Sequence, residues 1–434
     1  MSKAPTLSRD TLSSAGQITI DGIHIKPLNA SSSQGVDVSN MFERINIYED
    51  VFSNTLSGSI VLNDSLNLLS HLPIVGREEI EITFRTPGLQ KNRVTFRSFK
   101  VSAKTQNDTD NNQMYTVEFV SVEQFTNLEN RLSRSFKGKI SEVAKTVFKK
   151  LSKEDKKVDI EDTLNSYQFI ACNWTPLRIL NWLAAKALPI SNPYAPNYMV
   201  FETLDGFKFV SLNSLYNQAP SVTYTRRLQT SVSSDEREKD SNTALRTIES
   251  LSFGPIFDTL AHSSNGAESS TLYSYDLTKK EFKVRSFDHI DGFARTNHLE
   301  KHPISPRASK QQPTKVRYVP DQSFSYSDKV SDNEKWAQRV AQRGALLQQL
   351  EHFSYNIMVP GDSDRRVGET VRLDIPSPES LEGDKDWRDR HMSGKFLVTG
   401  IHHVILPGEY KQKIEVRSES LRKPLADTKD IVFD

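Results

Sequence analysis

From residue 17 to about 127, apolar residues recur at every second position. REEIEITFRT is the clearest case, with Ile80, Ile82 and Phe84 on one side and Glu79, Glu81 and Thr83 on the other. Such alternation marks a strand with one face against a core. FERINIYED, LSGSIVLND, RVTFRSFKVSA and QMYTVEFVSV repeat it. A run of strands without a long helix predicts a small antiparallel barrel or sandwich. One short helix interrupts it. In NDSLNLLSHLPIVG, Asp64 or Ser65 caps the first turn, Leu66, Leu69 and Leu72 offer an apolar side, and Pro73 stops the helix.

The period then changes. KISEVAKTVFKKL sets Ile140, Val143, Ala144, Val147, Phe148 and Leu151 on one helical stripe with lysines behind it. WTPLRILNWLAAKAL predicts a second helix, with Thr175 as N-cap, Pro176 at the first helical position and Pro189 closing the run. YMVFETLDGFKFVSL reads as a hairpin across Asp205-Gly206. Strand patterns resume in TALRTIESLSF, STLYSYDL and EFKVRSF. A proline-bearing crossing segment follows, and Ser331 with Glu334 forms a capping-box pattern ahead of a helix to about 351. YNIMVP, ETVRLDIP, FLVTGIHHVIL and YKQKIEVRSES supply the last strands.

FLVTGIHHVIL is apolar on both faces. Strict alternation groups Phe396, Val398, His402, Val404 and Leu406 on one face and Leu397, Ile401, His403 and Ile405 on the other. A strand of that kind needs cover on both sides, from its own core and from another domain or subunit. His402, His403 and Val404 are therefore candidate interface residues. Adjacent histidines on a strand point oppositely and cannot close on one metal ion from one side, and the chain has no H-E-x-x-H.

The expected fold class is α+β, mainly β, with two antiparallel β-barrels and an inserted mixed α+β module. The pattern divides the chain into a flexible arm at 1–16, a first barrel at 17–127 and a mixed module at 128–243. It assigns strands at 244–285 to the second barrel, 286–330 to an irregular crossing segment, 331–422 to a helix plus the second barrel, and 423–434 to a tail.

At 434 residues, 56 basic side chains face 55 acidic ones, a net charge of +1. That balance supplies no clustered basic surface for tight polyanion binding. One cysteine, Cys172, rules out a disulfide within the chain and a Cys-based zinc site, and fits assembly in a reducing cytoplasm. The N-terminus lacks the apolar core of a signal peptide, and no apolar run nears the ~20 residues that span a bilayer. The expectation is a soluble protein or part of a soluble particle, without membrane insertion.

Candidate chemistry is thin. NDTDNNQMYTVE begins like a calcium loop, but Gln113 stands where a tight turn wants Gly and Phe119 where a bidentate Glu belongs; a polar hairpin turn explains it. GDKDWRDRH gathers Asp384, Asp386, Asp389 and His391, while Lys385, Arg388 and Arg390 balance them. Trp387, flanked there by charge, is a candidate partner contact or a side chain tucked onto its own barrel. Arg131 to Lys157 holds ten basic residues, which reads as nucleic-acid contact or as a solvated helix face, the pattern favouring the latter. No P-loop, G-x-G-x-x-G or G-x-S-x-G occurs, so no catalytic residue, metal or cofactor is expected.

INIYEDVFSNTLSGSIVLNDSLNLLSHLPIVGREEIEITFRTPG, residues 45–88, resembles the first tube-type domain of baseplate hub proteins from contractile-tailed bacteriophages. VGETVRLDIP, SGKFLVTGIHHVIL and YKQKIEVRSES resemble the second tube-type domain shared by those hubs and the spike-hub proteins of type VI secretion systems. The resemblance implies a non-enzymatic homotrimer in the virion baseplate, assembled in the host cytoplasm. Its pseudo-sixfold ring would adapt a hexameric tail tube protein to a trimeric spike protein, contact other baseplate proteins, and meet DNA only in passage. Some relatives carry a fused spike or wall-degrading domain after the second barrel, whereas here LRKPLADTKDIVFD follows. Ile431 and Phe433 in that tail are candidates for a docking strand or part of a disordered end. Two other functions remain open: the hub of a tailocin or other contractile injection machine, and a carbohydrate-binding or hydrolytic β-domain protein using residues 382–391.

Overall fold

A computed structural model describes residues 14–27, 35–71, 74–106, 113–152, 156–226, 244–254, 258–277, 279–304, 313–321, 336–377 and 387–424. The first barrel is built from β1 (Thr19–Lys26), β2 (Val36–Asp37), β3 (Phe42–Asp50), β4 (Ser57–Asp64), β5 (Glu79–Arg85), β6 (Asn92–Gln106) and β7 (Gln113–Ser121). Its alternating residues converge as expected: Ile45, Ile47, Ile60, Leu62, Ile80, Ile82, Phe84, Phe96, Val117 and Phe119 share one dry core. The short helix α1 (Leu68–His71) follows β4, and Asp64 accepts hydrogen bonds from the backbone N–H of Leu66 and Leu68. Leu68 rather than Leu66 enters the core, because the helix begins two residues later than the apolar stripe suggests and leaves Leu66 exposed.

The middle module holds α2 (Val122–Glu129), β8 (Leu132–Lys139), α3 (Ile140–Leu151), β9 (Lys157–Ile160), β10 (Ser166–Trp174), α4 (Pro176–Ala184), β11 (Tyr198–Thr203), β12 (Gly206–Ser211) and α5 (Leu212–Tyr216). The stripe of α3 packs with Leu177, Ile179, Leu180 and Leu183 of α4 in a separate core. Lys145, Lys149 and Lys150 stay exposed on the far side, the solvated-face reading of the basic segment. Lys156 is an exception described below.

The remaining elements are β13 (Thr223–Thr225), β14 (Ser250–Phe253), α6 (Thr259–Asn265), β15 (Ser269–Asp276), β16 (Glu281–Asp288), α7 (His289–Phe293), β17 (His302–Pro303), β18 (Lys315–Asp321), α8 (Trp336–Gln349), β19 (Phe353–Pro360), β20 (Thr370–Asp374), β21 (Gly394–Leu406), β22 (Glu409–Ser418) and β23 (Ser420–Leu421). Of the strands expected between 244 and 285 to complete the second barrel, only β14 does so, by pairing with β19. β15 and β16 instead form a separate sheet with β18, a strand within the segment read as irregular. The physical reason lies in their side chains. One face of that sheet carries Leu272 among Ser270, Ser274, Arg285 and Arg317, toward α8, while Tyr275, Phe282, Val284, Val316 and Tyr318 on the other are exposed. The face these strands bury is thus the largely polar one and the face they leave exposed is the apolar one, the reverse of what a strand lining a barrel core presents.

The two barrels repeat one connectivity. In the first, strands lie side by side in the order β5-β6-β7-β4-β3; in the second, β20-β21-β22-β19-β14. Strand for strand in chain order, β14, β19, β20, β21 and β22 match β3 to β7. Both long strands carry a bulge at the matching place, Phe99 on β6 and Thr399 on β21, followed by Lys100 opposite Glu118 and Gly400 opposite Glu415. Each sheet curls shut through the residues just before its first strand. Val38 N–H donates to the Ile23 carbonyl on β1 (2.8 Å), and Ile248 N–H to the Thr225 carbonyl on β13 (3.0 Å). The closing strands differ: β1 runs antiparallel to β5, β13 parallel to β20.

Ser331, Glu334, the start of the calcium-like loop at 107–112, Asp384, Asp386, Ile431 and Phe433 lie outside the described residues, as do most of the arm and the tail. No helix among the described residues is long and apolar enough to cross a membrane.

Candidate functional site

β21 belongs to both barrels. Gly394–Leu397 pair with β20, whereas Gly400–Ile405 pair antiparallel with Asp50–Ile45 of β3, and β22 runs along the opposite edge. The two barrels therefore meet in one continuous 13-stranded sheet. The bulge at Thr399 makes this possible. Before it Phe396 and Val398 point into the second core; after it the inward parity switches to Ile401, His403 and Ile405, and Ile405 enters the first core. The two-face grouping expected from strict alternation fails for that reason.

The histidine doublet sits on this seam. His403 is fully buried. Gln412 Nε2 donates to the Tyr410 hydroxyl (2.8 Å) and to the Asp362 carbonyl (2.9 Å), leaving the hydroxyl to donate to His403 Nδ1 (2.6 Å) and His403 Nε2–H to donate to Glu49 on β3 (3.1 Å). That donor chain assigns the imidazole tautomer. His402 points to the opposite face, stacks on Tyr48 (4.4 Å between ring centres) and pairs Nε2 with Asn46 Oδ1 (3.0 Å). Burial pushes its pKa down to about 4. Val404 is half-buried beside Asn46. All three thus serve the junction of two barrels within one chain.

Sequence reasoning missed the groups that lock this junction. In the loop 361–368, Arg366 donates to Asn92 Oδ1 (2.6 Å), Asp205 Oδ1 (2.8 Å) and the Ser363 carbonyl (2.7 Å), while Thr86 and Ser363 exchange hydrogen bonds. Burial pulls the Arg366 pKa down, and Glu49 and Asp205 more than reverse it. At the middle module, Lys156 bridges buried Glu202 and Glu123, and Glu202 also accepts the Leu56 N–H (3.0 Å). Burial disfavours the Lys156 ammonium, but Glu202 and Glu123 outweigh it and hold its pKa above the ordinary value. The paired arginines of GDSDRRVG, set among acids in an otherwise tight loop, were the available signal.

Trp387 is 54% exposed, on a short bridge between Pro376 and Arg388. Asp389 accepts the backbone N–H groups of His391 and Met392, a local turn, and no group able to hold a metal occurs among the described residues. On the wall face away from the cores, cations meet acids: Lys100 with Glu118 (3.0 Å), Arg417 with Glu415 (2.8 Å) and Lys411 with Glu409 (2.9 Å). The arrangement is two closed sheets fused through one shared strand, with ion pairs on the outer wall.

A tail protein from Neisseria meningitidis MC58 superposes with a TM-score of 0.52 at 13% identity, covering 92% of this chain and 96% of that one. The 43 kDa tail protein of prophage MuSo2 from Shewanella oneidensis gives 0.55 at 9% identity, covering 93% and 99%. The chain has the phage tail-protein fold. An E. coli component of the type VI secretion system aligns at a TM-score of 0.44 and 8% identity, over 95% of this chain and 79% of that one. No protein-family model and no curated protein matches the sequence. Within the tail-protein fold, β21 is the strand that turns two barrels into one wall.

Proposed function

We propose that this chain is the structural hub of a contractile-tail baseplate, located in the virion and assembled in the host cytoplasm. Three copies form a ring of six barrels around an open passage, and the ring adapts a hexameric tail tube to a trimeric spike and the surrounding baseplate proteins. The observation that carries this reading is the duplicated closed sheet, two barrels of one strand order fused edge to edge, since a subunit with two equivalent units lets threefold assembly mimic sixfold symmetry. The tail-protein fold, matched over 92% and 93% of this chain, supports it. Ion pairs on the wall, such as Lys100 with Glu118 and Arg417 with Glu415, offset part of its positive charge, which suits DNA that passes without binding. The role is non-enzymatic.

Light scattering on the purified chain tests it. A mass near three times 49.3 kDa, with a ring and central opening in projection images, is the expected result. A monomer or dimer that binds glycan or metal would replace this reading with the alternative one.

A further inference from the structure

The sheet of β15, β16 and β18 is turned inside out. Its charge lies on the inner face, against α8: Arg317 Nη2 donates to the Asn265 carbonyl (3.1 Å) and lies so near the helix that a Cβ on Gly344 would stand 3.1 Å from it. The outer face is the apolar one. Cross-strand pairing sets Val284, Tyr273 and Tyr318 in one row and Phe282, Tyr275 and Pro320 in the next, and no position on this face carries a charge. Tyr273 stacks with Phe282 (5.6 Å between ring centres) and with Tyr318 (5.2 Å), which joins the rings across all three strands.

Tyr318 is 77% exposed, Phe282 59% and Val284 55%. Together with Tyr275 and Val316 they leave roughly 500 Å² of apolar surface open among the described residues, toward the upper end for the largest patch on a monomer. A face without cations has nothing to neutralise phosphate, so DNA does not fit it. An acidic or basic partner would bury its own charge unpaired there. An uncharged apolar surface suffers no such penalty, and an aromatic centre free of charge is the composition of a protein contact. The patch supplies the core of the ~800 Å² that each side of a standard interface buries. Pairing with its own equivalent would need a twofold axis and would join two rings back to back, which a ring with a tube on one side and a spike on the other does not permit.

We propose that the outer face of this sheet docks a different protein of the baseplate, one that presents an uncharged apolar surface. The inference rests on the hub reading.

Footprinting tests it. Hydroxyl-radical labelling, read by mass spectrometry at Tyr318, Phe282 and Tyr275, compares the purified trimer with assembled tails that contain this chain. The expected result is labelling that falls at least about fivefold in the tail, because contact takes Tyr318 from 77% exposed to the dry centre of an interface. Tyr318→Asp should leave the trimer and its thermal midpoint unchanged and lower the yield of assembled tails at least about tenfold, while Tyr318→Phe keeps the original yield. Equal labelling in trimer and tail, or normal assembly of the Tyr318→Asp chain, overturns the docking surface and leaves the hub reading standing. Protection already present in the purified trimer assigns the face to another copy or to a segment of the same chain and overturns the partner. Equal protection by phosphatidylcholine vesicles overturns it in favour of a lipid surface. A chain that is monomeric and absent from tails overturns both readings.

Discussion

Replacing His403 with leucine tests whether the seam is held by its buried polar chain. The imidazole and the Glu49 carboxylate are each 0% exposed at the side chain, 3.1 Å apart. Without His403, Glu49 keeps one long contact from the Val367 N–H (3.4 Å), and the Tyr410 hydroxyl loses its acceptor. Leaving the Glu49 carboxylate buried without this donor costs roughly 3–5 kcal/mol, the penalty of an uncompensated buried charge. The Glu49→Leu variant strands the imidazole N–H instead and costs about 1–3 kcal/mol. Removing both partners together leaves no orphaned carboxylate, because two leucines of similar volume fill the space. The double variant should therefore be destabilised by no more than about 2 kcal/mol, with a coupling of at least ~2 kcal/mol between the two positions. Urea titration followed by β-sheet circular dichroism, with calorimetry to separate the transitions of the three cores, measures the cycle. Effects that add within about 0.5 kcal/mol would show that Glu49 and His403 do not depend on one another and would remove the account of the seam given above.

Other outcomes follow from single positions. At Gly58 a Cβ would lie 2.3 Å from the Asn46 carbonyl oxygen and 2.5 Å from the Phe119 ring, so Gly58→Ala should cost about 1–3 kcal/mol by overpacking, read as a lower thermal midpoint. His352 is buried beside His262 with both ring nitrogens unpartnered, and burial lowers its pKa to about 3. Its depressed folded value means the unfolded chain binds the extra proton, so stability present above about pH 6.5 falls as pH drops toward 3. At pH 5 that loss is about 2 kcal/mol, and His352→Leu should flatten the urea-midpoint profile between pH 7 and 5 by that amount. Trp387→Ala should leave stability within about 0.5 kcal/mol, since the ring is exposed; a larger drop would mean it packs on its own barrel.

Much of the local structure was legible in the chain. Alternation placed β3 to β7 and β19 to β22, the 3-and-4 spacing placed α3, and Pro176 and Asp205-Gly206 marked a helix start and a hairpin. These features are local because burial of one face dictates a residue's polarity wherever the strand sits. For the same reason the duplication is hidden: RVTFRSFKVSAKTQ and GKFLVTGIHHVIL occupy matching places with scarcely a residue in common, since a strand position asks for polarity rather than identity. β13, three residues long, leaves no period to read, and β15 with β16 carry the alternation of a barrel strand while belonging to another sheet.

What the sequence alone determined was which residues face inward, and hence a mainly β chain with an inserted helical module. Only the tertiary structure decided which sheet each strand joined and where parity shifts. A single bulge at Thr399 reverses the inward face of β21, carries Ile405 into the neighbouring barrel and turns a suspicious pair of histidines into the fastening between two closed sheets. Such a choice depends on hydrogen-bond partners hundreds of residues away, and no local pattern of apolar and polar positions encodes it.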